Sequence, residues 1–302
     1  MFKNLINIIF AFLLFVIIII ALWKNISNNN QDDIIGKRFS PPEISLKQIL
    51  PLGTDDNGND YLVKFSTAFQ YNLYVSFITT VIFTVISIIL GLGIGFQTKK
   101  IYKNQKIFFL NRLKNLYFTF CSNITDVFQS IPILIVLLLG VLFFQRYLDN
   151  PDHSLFFTLV VVAVFSSPKL SNPLGNHIKQ LNREEFILAT KATGVSMPAL
   201  IVKHILYYEA KGLIVLQFIN FFFFTIMLEI FLGFFGKGAS ELSIGRLIGK
   251  DQILFASWQY LPLLPNYTDQ YKLILVFPLL FVLILCLVTR WLAKRVMLLT
   301  EN

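Results

Sequence analysis

Apolar residues in this chain fall in blocks long enough to cross a lipid bilayer, and that feature decides most of what the chain can fold into. A hydrocarbon core of about 30 Å needs about 20 largely apolar residues in an α-helix. Six runs meet or approach that length: Leu5 to Trp23, Tyr71 to Phe96, Ile131 to Phe144, Leu155 to Ser167, Leu213 to Phe235 and Leu273 to Trp291. The third and fourth are short as bare runs; Phe118 to Phe128 can extend the third inward, and Ser154 or Pro168 can bracket the fourth. Of the 302 residues 55% are hydrophobic and 14% charged, which suits a polytopic membrane protein and no ordinary soluble domain. Hydrocarbon offers the backbone no hydrogen bonds, so the spans must be helical, and the expected class is all-α integral membrane with six transmembrane helices. Lys3 ahead of the first run suggests a signal peptide. That run is too long for one, and Trp23, Lys24 and Asn25 replace a small-x-small cleavage site, so it reads as an uncleaved span.

Basic residues set the orientation. Lys99, Lys100, Lys103, Lys106, Arg112 and Lys114 lie between spans two and three. Lys169, Lys179, Arg183, Lys191, Lys203 and Lys211 lie between spans four and five, and Arg290, Lys294 and Arg295 close the chain. These segments are expected in the cytoplasm, as are both termini. The net charge of +9 is then a topology signal rather than a nucleic-acid footprint. Cys121 and Cys286 form neither a disulfide framework nor a CxxC pair, and His153, His177 and His204 have no ligand spacing.

Two external segments stand out. The first, Lys24 to Gln70, opens with "NISNNNQDD" and contains Pro41 and Pro42; the second, Gly236 to Tyr271, holds Trp258, Pro262 and Pro265 and reads as a re-entrant or capping structure. Gly91 and Gly95 make a small-xxx-small pair for close helix packing. No internal repeat stands out, and no GxxxxGK[ST] phosphate loop occurs.

The segment between spans four and five, "REEFILATKATGVSMPALIVKHIL", is polar and helix-prone. Asn182 is placed to cap a helix with Glu184 and Glu185 in its first turn, and Gly194 to stop it. Ser196 and Pro198 then read as the N-cap and first turn of a second helix. An interfacial helix lying on lipid headgroups has the same local signature.

These residues resemble the cytoplasmic EAA loop of permease subunits of ATP-binding-cassette importers, in the peptide and nickel branch. Glu185 to Gly194 runs in step with that loop, followed by His204, Ile205 and Leu206; Thr190 stands where a second Ala is common and Tyr207 where Pro is usual. Two further stretches agree. "PLGTDDNGND" from Pro51 to Asp60 resembles the signature before span two of the C-type permeases, with Leu50 for His and Asn59 for Arg. "LEIFLGFFGKG" from Leu228 to Gly238 is similar to a stretch in span five.

The resemblance implies a type I ABC importer permease fold in a bacterial cell membrane. Its parts would be an N-terminal helix and external segment (1–70), a five-helix core (71–292) with a coupling loop (168–211), and a cytoplasmic tail (293–302). Glu184, Glu185, Ala189, Ala192, Gly194 and Ser196 would form the ATPase-coupling helix and its end. Gly53, Thr54, Asp55, Gly58 and Asp60 would form an external cap; counted as an EF-hand from Asp55, the loop has Asp60 and Ser66 where Gly and Glu are needed. Implied partners are a B-type permease in a heterodimer, two cytoplasmic ATP-binding subunits, an extracellular substrate-binding protein and lipid, with no nucleic acid. ATP and Mg would sit on the partner ATPases, with no cofactor on this chain and no catalytic residue or metal site in it. The cargo would be oligopeptides or dipeptides, with nickel or another small solute as the alternative.

Glu229, inside the fifth run, is a functional candidate by its position. It could line the translocation path, engage a substrate amino group or pair with a partner subunit, or lie at the outer interface bonded to backbone. A gradient-driven secondary transporter or channel using this carboxylate is the rival of another class, and a non-transporting membrane scaffold a further one.

Overall fold

The computed structural model describes residues 2–26, 42–44, 49–55, 57–95, 105–182, 184–195, 200–237, 243–249 and 268–300. The apolar runs become helices: α1 (Phe2–Ile26), α2 (Tyr61–Gly95), α3 (Gln105–Ser130), α4 (Ile133–Tyr147), α5 (Pro151–Ser166) and α6 (Pro168–Leu181). After them come α7 (Glu185–Ala192), a π-helical segment π1 (Leu200–Glu209), α8 (Lys211–Phe234), a short α9 over 244–249 and α10 (Thr268–Thr300). A two-residue hairpin the sequence did not announce, β1 (Glu43–Ile44) with β2 (Ile49–Leu50), pairs Glu43 with Leu50 and Ile44 with Ile49.

Among the described residues four helices can cross a bilayer: Tyr61–Gly95, Pro151–Leu181, Lys211–Phe234 and Val276–Leu298. Leu116–Ser130 and Ile133–Tyr147, bent by 86° at their junction, make a fifth if taken as one span, and Ile9–Trp23 is a shorter apolar helix. The all-α class holds, and the six runs map in order onto α1, α2, α3 with α4, α5 with α6, α8 and α10.

Several boundaries differ from expectation for local reasons. Asp60 caps α2, so the helix starts at Tyr61 and takes in residues assigned to the external segment up to Gln70. Phe118 to Phe128 is helical, as expected, but does not extend α4 in line. Ile131 precedes Pro132 and is pushed out of helical geometry, and α4 restarts with Ile135 N–H donating to the Pro132 carbonyl at 2.9 Å. Pro168, by contrast, ends nothing. Ser167 keeps helical dihedrals (φ −54, ψ −28) and Ser171 N–H donates to its carbonyl at 3.0 Å, so a proline that lacks one donor starts α6 in continuity with α5. Asn182 therefore ends α6 instead of capping α7: its φ −63, ψ −12 backbone is helical and its N–H donates to Ile178 at 2.9 Å.

The chain forms two compact units, Met1–Phe77 with Gln145–Phe156 and Phe223–Leu292, and Ile78–Phe144 with Phe157–Phe222 and Ala293–Asn302. In the first, Phe65 meets Phe277 and Phe281 edge-on, each at 5.0 Å, and fastens α2 to α10. Phe10 of α1 stacks on Trp291 at 5.4 Å, and the Ala21 carbonyl accepts Gln70 Nε2 at 2.6 Å. In the second, glycines let α2 and α6 approach closely. A Cβ on Gly95 would lie 2.5 Å from Ile178, one on Gly175 2.6 Å from Ile94, and one on Gly91 2.9 Å from Leu174, so the Gly91/Gly95 pair packs as its spacing predicts.

Candidate functional site

The stretch from Pro51 to Asp60 folds into a closed turn on the start of α2. Gly53 and Gly58 have φ of +72 and +88, where a side chain is strained. Thr54 bridges to Asp60, whose Oδ1 accepts the N–H groups of Leu62 (2.9 Å) and Val63 (3.3 Å), a carboxylate N-cap at the positive end of the helix. Asp55 Oδ1 accepts the N–H groups of Asn57 and Asn59, both at 2.9 Å, and its Oδ2 accepts Lys64 Nζ at 2.7 Å. Both oxygens of Asp55 are thus engaged by protein donors, and among the described residues no cluster of three His, Cys, Asp or Glu gathers as a cation site. Lys64, the residue that locks the loop, escaped the sequence reading, although it lies one helical turn beyond Asp60.

Glu229 lies on α8 and is fully enclosed. Its Oε2 accepts a hydrogen bond from Asn72 Nδ2 of α2, and Ser243 hydrogen-bonds to it as well. Close glycine packing holds α9 there. A Cβ on Gly245 would overlap the Ile230 carbonyl, and one on Gly233 would overlap the Ser243 hydroxyl. Gly236 (φ +69) ends α8, with Lys237 N–H donating to Leu232 at 2.8 Å and Gly236 N–H to Gly233 at 2.9 Å. The arrangement ties three elements to one carboxylate, and in this structure that carboxylate faces no open space. Asn72 was missed; its signal was a lone carboxamide at the head of an apolar run.

The segment expected to couple to the ATPases begins at α7. Ile187 is fully buried and anchors the helix, while Glu184, Glu185, Ala189, Thr193, Gly194 and Val195 are exposed. Gly194 has φ +79, so a side chain there is strained even though its surroundings are open. Thr193 N–H donates to the Ala189 carbonyl at 3.0 Å as the helix ends. Ala192 closes α7; Ser196 and Pro198 lie outside the described residues. The second helix is π1, buried through Leu200 and Ile205. Ala210 N–H donates to Ile205 at 2.8 Å, a five-residue step, so the π geometry runs through Tyr207, where a proline would lack the donor.

The family of binding-protein-dependent transport system inner membrane components matches residues 107–297. The chain belongs to that family. It is a membrane-embedded permease component of an ABC importer, which works with a partner permease and with ATPases on separate subunits. No curated protein matches the chain. Similar solved structures are two crystal forms described as inward facing conformations of the MetNI methionine ABC transporter. One is 16% identical with a TM-score of 0.44 and the other 20% identical with a TM-score of 0.47; each comparison covers 75% of this chain and 93% of that one.

Proposed function

We propose that this chain is the C-type half of an importer of the peptide and nickel branch. It pairs with a B-type permease and two cytoplasmic ATP-binding subunits, which hold ATP and Mg, and an external substrate-binding protein delivers oligopeptides or dipeptides. The coupling role rests on one observation: a short helix fixed by a buried Ile187 offers Glu184, Glu185 and Ala189 outward and ends at a Gly194 whose backbone few other residues adopt. Eight residues do not hold a helix alone in water, so the anchor makes α7 a stiff lever. Ala189, a small residue on its exposed side, lets a partner's cleft close over it. The peptide branch is supported by the loop of Gly53, Thr54, Asp55, Gly58 and Asp60, whose signature residues each have a structural task.

ATP must favour the closed ATPase pair for α7 to be driven, and the spans then carry that motion to the outer gate. Glu229 enters this reading as the tie between α2, α8 and α9, whose breakage would loosen the elements that have to move together.

Gly194→Val tests the coupling. Strain of about 1–3 kcal/mol at the turn should lower ATPase co-purification and ATP-driven uptake by about tenfold, while the chain still inserts in the membrane. Uptake and co-purification both intact would refute the role, and uptake persisting without ATPase subunits would favour the gradient-driven rival. Competition by dipeptides against nickel salts then separates the cargo classes.

A further inference from the structure

α3 and α6 pack on each other in the second unit, and each carries a polar stripe. On α3 the stripe is Thr119, Asn123, Asp126 and Gln129, all exposed and spaced as one helical face. On α6 it is Lys169, Asn172, Asn176 and Gln180, exposed or partly so and again one face. Asn172 Nδ2 donates to Gln129 Oε1 at 2.8 Å and joins the two stripes. α6 is the second half of the candidate span Pro151–Leu181, and Leu116–Ser130 of α3 is the first half of the bent pair.

α3 has a second exposed face of opposite character, with Leu116, Phe120 and Val127 each more than half exposed. That face suits lipid tails. The polar face does not, because an unpaired carboxamide or charge in hydrocarbon costs several kcal/mol (roughly 2–7 for a polar group). The two faces adjoin, with Leu116 and Phe120 beside Thr119 and Asn123 in one concavity, so the border between hydrocarbon and water runs along α3 there.

A cavity of ≈290 Å³ opens where the stripes meet, between the break at Pro132 and the continuous junction at Pro168. Gln129 and Lys169 line it, with Phe128 and Phe165 as its apolar side. Ser166 also lines it; its hydroxyl is buried and has no hydrogen-bond partner among the described residues. Gln129 and Lys169 therefore offer polar groups to an occupant, while the buried Ser166 hydroxyl is closed off from it.

We propose that this joined face of α3 and α6 is the wall of the solute path, and that it suits solutes rich in amide groups. The inference rests on the permease reading and adds the surface and its chemistry. Carboxamides both donate and accept, as peptide bonds do, so Asn123, Gln129, Asn172 and Asn176 can exchange hydrogen bonds with a passing backbone without holding it. Such weak, repeated contacts let a solute enter and leave. Asp126 and Lys169 supply one charge of each sign for the ends of a zwitterion.

The test labels the full transporter in inverted membrane vesicles and follows uptake in proteoliposomes that enclose ATP, with Cys121→Ala and Cys286→Ala as background. Gln129→Cys and Asn176→Cys should react with a charged, water-soluble methanethiosulfonate at least tenfold faster than Phe120→Cys and Val127→Cys. Trapping the ATPases with vanadate should change those rates severalfold. Equal rates on both faces, in variants that still take up solute in proteoliposomes, would overturn the wall alone; ready disulfide formation with the partner permease in place of labelling would also overturn it. Absence of ATP-driven uptake by the unsubstituted protein would instead overturn the permease reading beneath it. Gln129→Leu with Asn176→Leu should raise the KM for dipeptide uptake with ATPase co-purification unchanged, and an unchanged KM would overturn the amide preference.

Discussion

In the first unit Glu229, Asn72, Asp55 and Lys64 are all less than one-tenth exposed, and each bonds to another of the four. In the second, Asn123, Asp126, Gln129 and Asn176 stand exposed on helices that belong to the bent pair and to the candidate span Pro151–Leu181. The same residue types thus serve two purposes. A buried carboxylate with a dedicated donor ties elements together, and its loss leaves an orphaned group in a medium that cannot solvate it. An exposed carboxamide with room around it is available to whatever occupies that room. Burial and partnership, more than the presence of an ionisable group in an apolar run, separate structural from solute-facing polarity.

Breaking the first kind should cost most. Lys64→Met leaves Asp55 buried without its cation, and removing one member of a buried ion pair typically costs about 3–5 kcal/mol. Thermal unfolding of the detergent-solubilised complex should show the largest drop of the series, and Asp55→Asn in the same chain should restore part of it. Glu229→Leu comes next. It orphans the Asn72 amide at about 1–3 kcal/mol, whereas Glu229→Gln keeps an acceptor and should lose less. A Glu229→Leu, Asn72→Leu double variant no worse than either single change would confirm that the two side chains act as one pair. Asp60→Ala removes the cap of α2 and should cost about 1 kcal/mol, read as an earlier onset of melting.

How far the sequence foretold this depends on the range of each interaction. The apolar blocks located the spans because hydrophobic run length is a local property, and Gly91, Gly95 and Gly194 were legible because close approach and positive φ leave few alternatives to glycine. The loop from Gly53 to Asp60 is recognisable as a unit through its resemblance to the family signature and its density of turn residues. Partners were not legible. Asn72 and Glu229 are separated by most of the chain, and nothing local marks them as a pair. Pro132 and Pro168 look alike in sequence, yet one accompanies an 86° bend and the other a continuous span, because only at Pro132 does the preceding residue leave the helix. The stripe on α3 is a period-3.6 pattern of polar residues, which apolar run length does not register. Tyr207 is where the sequence departs from the family pattern, and the unbroken π1 gives that departure a physical form.

The smallest expected effect is the most discriminating. Asn123→Ala and Asn176→Ala remove exposed carboxamides that hold no element in place, so each should change stability by less than about 0.5 kcal/mol. If the exposed face of α3 and α6 serves solute, the same changes should still alter uptake kinetics, giving variants with wild-type melting and an altered KM. Glu229→Leu should show the reverse order, with melting affected first and transport falling in proportion to folded protein. Measuring unfolding and uptake on the same membrane preparations separates the two patterns. A drop in stability at Asn123 or Asn176 as large as that at Glu229 would mean that these side chains are tied into packing, and the distinction between the two units would fail.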